Sequence, residues 1–201
     1  MAISLEKGKK VSLKKGGSAG LGEILVNLNW NTKPAKKGLL GGLFGGGQGI
    51  DLDLGCLFEL KDGRKGVVQA LGNAFGSLNQ PPYIALDGDD RTGAVTTGEN
   101  LRIDGNQIAL FKRILVYTFI YEGVANWQQA DATVTIKYPG AEDLIVKMDS
   151  YNSNDIMCGL VLLENVNDET FSVEKIVQFY SGHPALDAAF HWGMRWQAGR
   201  K

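Results

Sequence analysis

The run Ile50-Asp51-Leu52-Asp53-Leu54-Gly55-Cys56-Leu57-Phe58-Glu59-Leu60 decides how the rest of the chain is read. Ile50, Leu52, Leu54, Cys56, Phe58 and Leu60 alternate with Asp51, Asp53 and Glu59, the period of two that marks a β-strand. The same alternation recurs upstream, where Ile24, Val26, Leu28 and Trp30 share one face of 23–30 and Asn27 and Asn29 the other. Downstream, Ile114-Leu115-Val116-Tyr117-Thr118-Phe119-Ile120-Tyr121-Glu122 is apolar on both faces, as in a central strand. Further strands are expected over 67–71, 83–87, 101–104, 131–138, 143–149, 156–164 and 171–180. Turns separate them at Lys61-Asp62-Gly63, Asp104-Gly105-Asn106, Tyr138-Pro139-Gly140 and Asn165-Val166-Asn167-Asp168. Many short strands with regular turn punctuation predict an all-β sandwich of two mainly antiparallel sheets. Only Pro184 to Trp192 reads as a helix, with Pro184 suited to its first position.

The 201 residues are 44% apolar and 21% charged, with a net charge of −1, which no polyanion or membrane would select as a whole. The length fits a single domain over 1–201 with a 182–201 helical tail. Charge is uneven: residues 1–37 carry eight Lys against two acids, whereas 38–100 carry eight acids against four basic groups. The lysines (Lys7, Lys9, Lys10, Lys14, Lys15) lack interleaved aromatics, so nucleic acid is not an expected partner. The N-terminus lacks a signal-peptide core and no run approaches the ~20 apolar residues of a membrane span, which predicts a cytoplasmic protein. Cys56 and Cys158 lie in apolar strand-like runs and are expected to be buried free thiols; neither belongs to a reactive Cys-x-x-Cys pair. Seven glycines in 38–49 make that stretch a flexible insert loop. An alternative uses its Leu39, Leu40, Leu43 and Phe44 as an adaptable tip for a partner or a membrane surface.

The chemistry concentrates in carboxylates. Asp51 and Asp53, at i and i+2 of a strand, point the same way. About thirty residues on comes Asp87-Gly88-Asp89-Asp90-Arg91-Thr92-Gly93, closed by Thr97-Gly98-Glu99-Asn100. Two like charges at about 5 Å repel by roughly 3 kcal/mol at an effective dielectric near 20, and a hard divalent cation between them removes that conflict. An oxygen-only donor set suits calcium and disfavours zinc and copper. The bland alternative is an exposed acidic turn beside a wet sheet face. Ser181, His183 and Asp187 hold the atoms of a catalytic triad, but two-residue Ser–His spacing opposes the geometry, and a His183–Asp187 pair at the helix start is expected instead. Trp192 and Trp196 are expected to form a packing stripe at helical spacing.

The ordered set Asp51-Leu52-Asp53, Asp89-Asp90-Arg91-Thr92-Gly93, Gly98-Glu99-Asn100 and Arg102-Ile103-Asp104 resembles the TerD family of bacterial tellurium-resistance and stress proteins. Ile3-Ser4-Leu5-Glu6-Lys7-Gly8, Leu28-Asn29-Trp30, Ile120-Tyr121-Glu122-Gly123-Val124-Ala125 and Gly182-His183 match it too. Asn126-Trp127 and the Trp192-to-Trp196 tail place it nearest the TerA-like branch. The resemblance implies a β-sandwich that binds Ca2+ near one edge. By that resemblance, Asp51, Asp53, Asp89 and Glu99 match acidic positions of the calcium motif, Asp90 stands where Asn is common, and Glu122 is an additional ligand where many members have Asp. Ala94-Val95-Thr96-Thr97 replaces the acid-rich string of many members, which argues against a second ion. The implied role is a non-enzymatic calcium-binding protein of a tellurite-resistance and general stress-response system, with metal-ordered loops meeting other proteins of that system. The alternative is a metal-dependent hydrolase or transferase acting on a phosphate or sugar through the same acids. That needs an open metal position and a clamp, for which Arg91 is the basic residue inside the motif. A third reading is a carbohydrate- or peptide-binding sandwich with exposed aromatics beside the metal.

Overall fold

The alternating runs become strands in a computed structural model that describes residues 2–13, 20–31, 50–88, 98–122, 127–148, 154–197 and 199. In chain order these are β1 (Ala2–Ser4), β2 (Lys10–Ser12), β3 (Glu23–Asn29), β4 (Asp51–Leu60), β5 (Lys65–Gln69), β6 (Gly76–Ser77), β7 (Ile84–Leu86) and β8 (Glu99–Asp104). There follow β9 (Phe111–Glu122), a one-turn helix α1 (Trp127–Ala130), β10 (Thr133–Lys137), β11 (Asp143–Lys147), β12 (Met157–Val166), β13 (Thr170–Tyr180) and α2 (His183–Ala189). The first sheet runs β1-β11-β10-β3-β8-β7-β6 and the second β2-β13-β12-β9-β4-β5. Every pairing is antiparallel except β1 on β11. This is the expected all-β sandwich.

The period-two faces explain the layers. Ile24, Val26 and Leu28 of β3, Leu101 and Ile103 of β8, and Val134 and Ile136 of β10 join one buried cluster with Leu52, Leu54 and Cys56 of β4 and Ile114 and Val116 of β9. Both cysteines are buried free thiols, as the sequence suggested, and burial pushes the Cys56 thiol far up from its ordinary value. Among the described residues no helix is long and apolar enough to cross a membrane.

Strand β4 is buried along both faces, because its second face is covered as well. Leu57, Leu115, Tyr117, Phe119 and Met157 form a second cluster with Leu186 of α2 and Trp192 beyond it. The helix is shorter than expected. It ends at Ala189, and His191 (φ 53°) and Gly193 (φ 73°) turn the chain so that 192–197 continue as non-helical tail. Trp192 and Trp196 therefore pack from an irregular segment, not from a helical stripe. Asp187 holds that segment in place: its Oδ1 accepts from Gly193 N (2.8 Å), and its Oδ2 from Met194 N (3.0 Å) and Trp196 Nε1 (3.0 Å). Arg113 Nη1 donates to Phe190 O (2.9 Å), its guanidinium lies 3.8 Å over the Trp192 ring, and Lys65 Nζ donates to Trp192 O (2.6 Å). Glu59, paired with Lys112 and Arg113, completes the clamp; burial pushes its carboxyl up, but the two cations hold it below the usual range.

The first dozen residues supply two strands that the sequence pattern did not reveal. β1 closes the β11 edge of one sheet and β2 the β13 edge of the other, with Leu5 N donating to Ile145 O (2.8 Å) between them.

Candidate functional site

The first half of β4 extends past the end of its neighbour. β5 pairs with β4 only from Gly55 to Glu59, so along Asp51–Leu54 that side of β4 has no strand beside it among the described residues. A side chain from the other sheet enters there. Glu99, the first residue of β8, places Oε2 2.6 Å from Leu54 N and accepts its hydrogen bond. The chain can turn into β8 at this point only because residue 98 is glycine. Gly98 has φ +67°, and a Cβ there would lie 2.0 Å from Leu28 O. The sequence placed Glu99 at the close of a loop; it is instead anchored in a strand.

Asp51, Asp53 and Glu99 are thus three buried carboxylates on two sheets at one end of the sandwich, with Asp53 wholly inaccessible. Asp51 Oδ1 and Asp53 Oδ2 are out of reach of solvent. The wet-face alternative for these two aspartates does not hold. Ionised carboxylates removed from water lose several kcal/mol of hydration each unless a hydrogen bond, a counter-charge or a metal replaces it. Glu122 lies in register with Asp51 on β9 and is exposed. Asp89, Asp90, Arg91 and the 38–49 insert lie outside the described residues. Among the described residues no three His, Cys, Asp or Glu side chains form a ready metal cage. The donor chemistry at the β4 end, carboxylate oxygen alone, fits a hard cation.

Asp87, at the entrance of the acidic turn, is committed elsewhere. Arg102 Nε and Nη2 donate to its two oxygens at 2.6 and 2.7 Å, and Nη1 donates to Glu23 at 2.5 Å. Asp87 and Glu23 hold the guanidinium still further above its usual pKa. This forked grip fixes the stem from which residues 89–97 depart.

A second polar group, not foreseen from sequence, lies on the same face of the sheet as Asp53. Tyr117 OH donates to Gln69 Oε1 (2.6 Å), and His183 Nε2 meets the same oxygen at 2.8 Å. With the Gln69 amide in this orientation its oxygen only accepts, which puts the His183 proton on Nε2. Burial pulls the imidazole pKa down to about 4. Burial, and then the nearby Cys56 and Asp53, push the Tyr117 hydroxyl well up. His183 also contacts Phe119, the register partner of Asp53, at 5.2 Å between centroids, and Trp196 at 4.8 Å. The expected His183–Asp187 pair is not formed: Asp187 faces three N–H groups of the tail, and His183 faces β5 and β9. The imidazole and carboxylate of the sequence triad therefore serve separate structural bonds. The signal that could have exposed the cluster is Gly55. A Cβ there would lie 2.8–2.9 Å from the Tyr117 ring and hydroxyl, so glycine in mid-strand marks where an aromatic ring lies on the backbone.

Comparison with known proteins agrees with this architecture. The chain is 43% identical over 200 residues to Tellurium resistance protein TerA of an Alcaligenes species, which covers 99% of this chain and 58% of that protein. It is 37% identical over 111 residues to Stress response protein SCP2 of Bacillus subtilis, covering 52% of this chain and 47% of that one. The chain thus spans less than two thirds of the length of either relative. A crystal structure of a homologue of a telluride resistance protein (TerD) from Streptomyces coelicolor superposes with a TM-score of 0.58 at 17% identity, covering 84% of this chain and 96% of that one, and shows the shared fold. The TerD domain pattern itself matches residues 1–137, the stretch that holds β4, Glu99 and the Gly98 turn, and on that match this chain belongs to the TerD family.

Proposed function

We propose that this chain is a non-enzymatic calcium-binding protein of a bacterial tellurite-resistance and general stress-response system, working in the cytoplasm. The observation that carries the reading is the burial of Asp51 and Asp53 on β4, in the stretch whose Leu54 N donates to the buried Glu99 of the opposite sheet. Asp51 and Asp53 would face the ion, Glu99 would tie it to β8, and Asp89 and Asp90 of the adjoining turn, with Glu122 at the rim, would complete an oxygen shell. Calcium accepts six to eight oxygens at about 2.3–2.6 Å, which such a mixed set can supply. One ion is expected. Its charge would offset the repulsion among the acids and order the turn, which then presents a surface to other proteins of the system, with 38–49 as a further contact.

Two features support a binding role over catalysis. His183 and Asp187 are both engaged in packing bonds, and the Arg102 fork occupies both oxygens of Asp87. The names of the TerA and SCP2 relatives support the stress-response setting.

Calorimetric titration of metal-stripped protein tests the reading. Calcium is expected to bind with measurable heat and to stabilise the fold by about 2.7 kcal/mol at a hundredfold excess over Kd. Asp53→Asn should weaken binding at least tenfold. No heat at millimolar calcium, together with an unchanged melting temperature, refutes calcium binding. Metal-dependent turnover of an aryl phosphate or aryl glycoside would overturn the non-enzymatic assignment in favour of the hydrolase alternative.

A further inference from the structure

We infer that the C-terminal segment, α2 with the tail to Trp196, is coupled to the cation site, so that seating the segment strengthens cation binding and the cation in turn holds the segment down. The inference rests on the calcium reading above and assigns that site its control.

The connection is physical and short. Asp53 stands on the outer face of its sheet, beside its register partner Phe119 and near Tyr117, whose ring lies against the backbone of Gly55. His183, the first residue of α2, touches both rings, with centroid separations of 5.4 Å to Tyr117 and 5.2 Å to Phe119. It also shares the Gln69 oxygen with Tyr117. Trp196 lies against the other side of the imidazole, and Asp187 fastens Trp196. One layer of side chains thus separates the metal-facing strand from the segment that covers it.

The segment can leave as a unit. Its apolar contacts belong to the second cluster, around Leu186 and Trp192, and not to the core between the sheets. Undocking would therefore uncover the outer face of β4 and β9 while the sandwich stayed folded, the kind of sub-global opening that cooperative segments undergo.

The sign of the coupling follows from electrostatics. A docked segment keeps water from the Phe119–Tyr117 side of Asp53. Excluding water raises the free energy of an ionised carboxylate that has no cation beside it and strengthens its attraction to one that does. The docked state therefore favours the bound ion, and by linkage the ion favours the docked state by the same factor. Couplings of this type are typically about 5- to 150-fold.

The test measures both directions on the full chain. Calcium affinity is compared by calorimetry for wild-type protein, Trp196→Ala and His183→Gln, each first checked for a wild-type-like far-UV spectrum. Hydrogen exchange at Ala185–Trp192 is followed with and without calcium in the wild type. The expected results are a calcium Kd raised about fivefold or more in Trp196→Ala and at least twofold in the milder His183→Gln, with slower exchange in the segment when calcium is bound. The reciprocal protection is the readout that a purely structural role for Trp196 would not move. If wild-type protein binds calcium, but the variants bind it equally well and exchange is indifferent to the ion, the coupling is wrong and the calcium site stands. If wild-type protein binds no calcium, both fall together.

Discussion

Asp187→Ala offers the sharpest check on how the outer face of the second sheet is held. The carboxylate accepts three hydrogen bonds from Gly193 N, Met194 N and Trp196 Nε1, and it is almost wholly buried. Hydrogen bonds to a charged acceptor contribute about 1.5–3 kcal/mol each, so the three set a lower bound of about 4.5 kcal/mol if none is replaced. Water can reach the freed amides once the tail loosens, which reduces the loss to about 3 kcal/mol. The sandwich core does not depend on this segment, so undocking limits the loss. Urea denaturation followed by tryptophan emission should show the midpoint lowered, the native baseline red-shifted as Trp192 and Trp196 meet solvent, and a smaller m-value because less surface remains to be exposed. Asp187→Asn can keep its amide oxygen on Met194 N and Trp196 Nε1 but turns its NH2 toward the Gly193 N–H, and should lose about 2 kcal/mol. If Asp187→Ala changes stability by under about 0.5 kcal/mol with unaltered emission, the tail is held by something other than this carboxylate.

Thr118, fully buried on the inner face of β9, has a hydroxyl with no hydrogen-bond partner among the described residues, so Thr118→Val should raise unfolding free energy by about 1 kcal/mol in denaturant titrations. His183 has a folded pKa of about 4 against about 6.5 in the unfolded chain, so its contribution to stability is complete above pH 6.5 and is lost as pH falls toward 4. Urea midpoints measured from pH 7.5 to 4 should show a loss of up to about 3 kcal/mol that His183→Gln largely removes, most cleanly between pH 6.5 and 5, before the carboxylates titrate.

The sandwich was legible because its long strands keep one apolar face each: Glu23–Asn29, Asp51–Leu60 and Thr170–Tyr180 all fall where alternation placed them. β1 and β2 were not, since three residues carry no period and their pairing comes only from β11 and β13. The candidate site divides the same way. Asp51 and Asp53 share a face by strand geometry alone, and that was readable. Their burial was not, because alternation along one strand does not reveal that a second cluster, with Leu186 and Trp192, covers the outer face of that sheet. Glu99 was recognisable as an acid of the motif, but its grip on Leu54 N depends on β5 stopping at Gly55 and on the Gly98 turn. The His183–Asp187 expectation failed for a specific reason. Helical i, i+4 proximity gives only a few tenths of a kcal/mol, too little to compete with three N–H donors delivered by a folded-back tail.

The opening residues have one more consequence. A single stretch of a dozen residues caps an edge of both sheets, so a deletion through Ser12 would bare β11 and β13 together. Two open strand edges on one molecule are templates for pairing with a neighbour, and the truncated protein, which also loses Leu5 and Val11 from the core and its margin, would form oligomers or fibrils. The same geometry favours placing affinity tags and fluorescent fusions away from Ala2, where the parallel β1 strand begins.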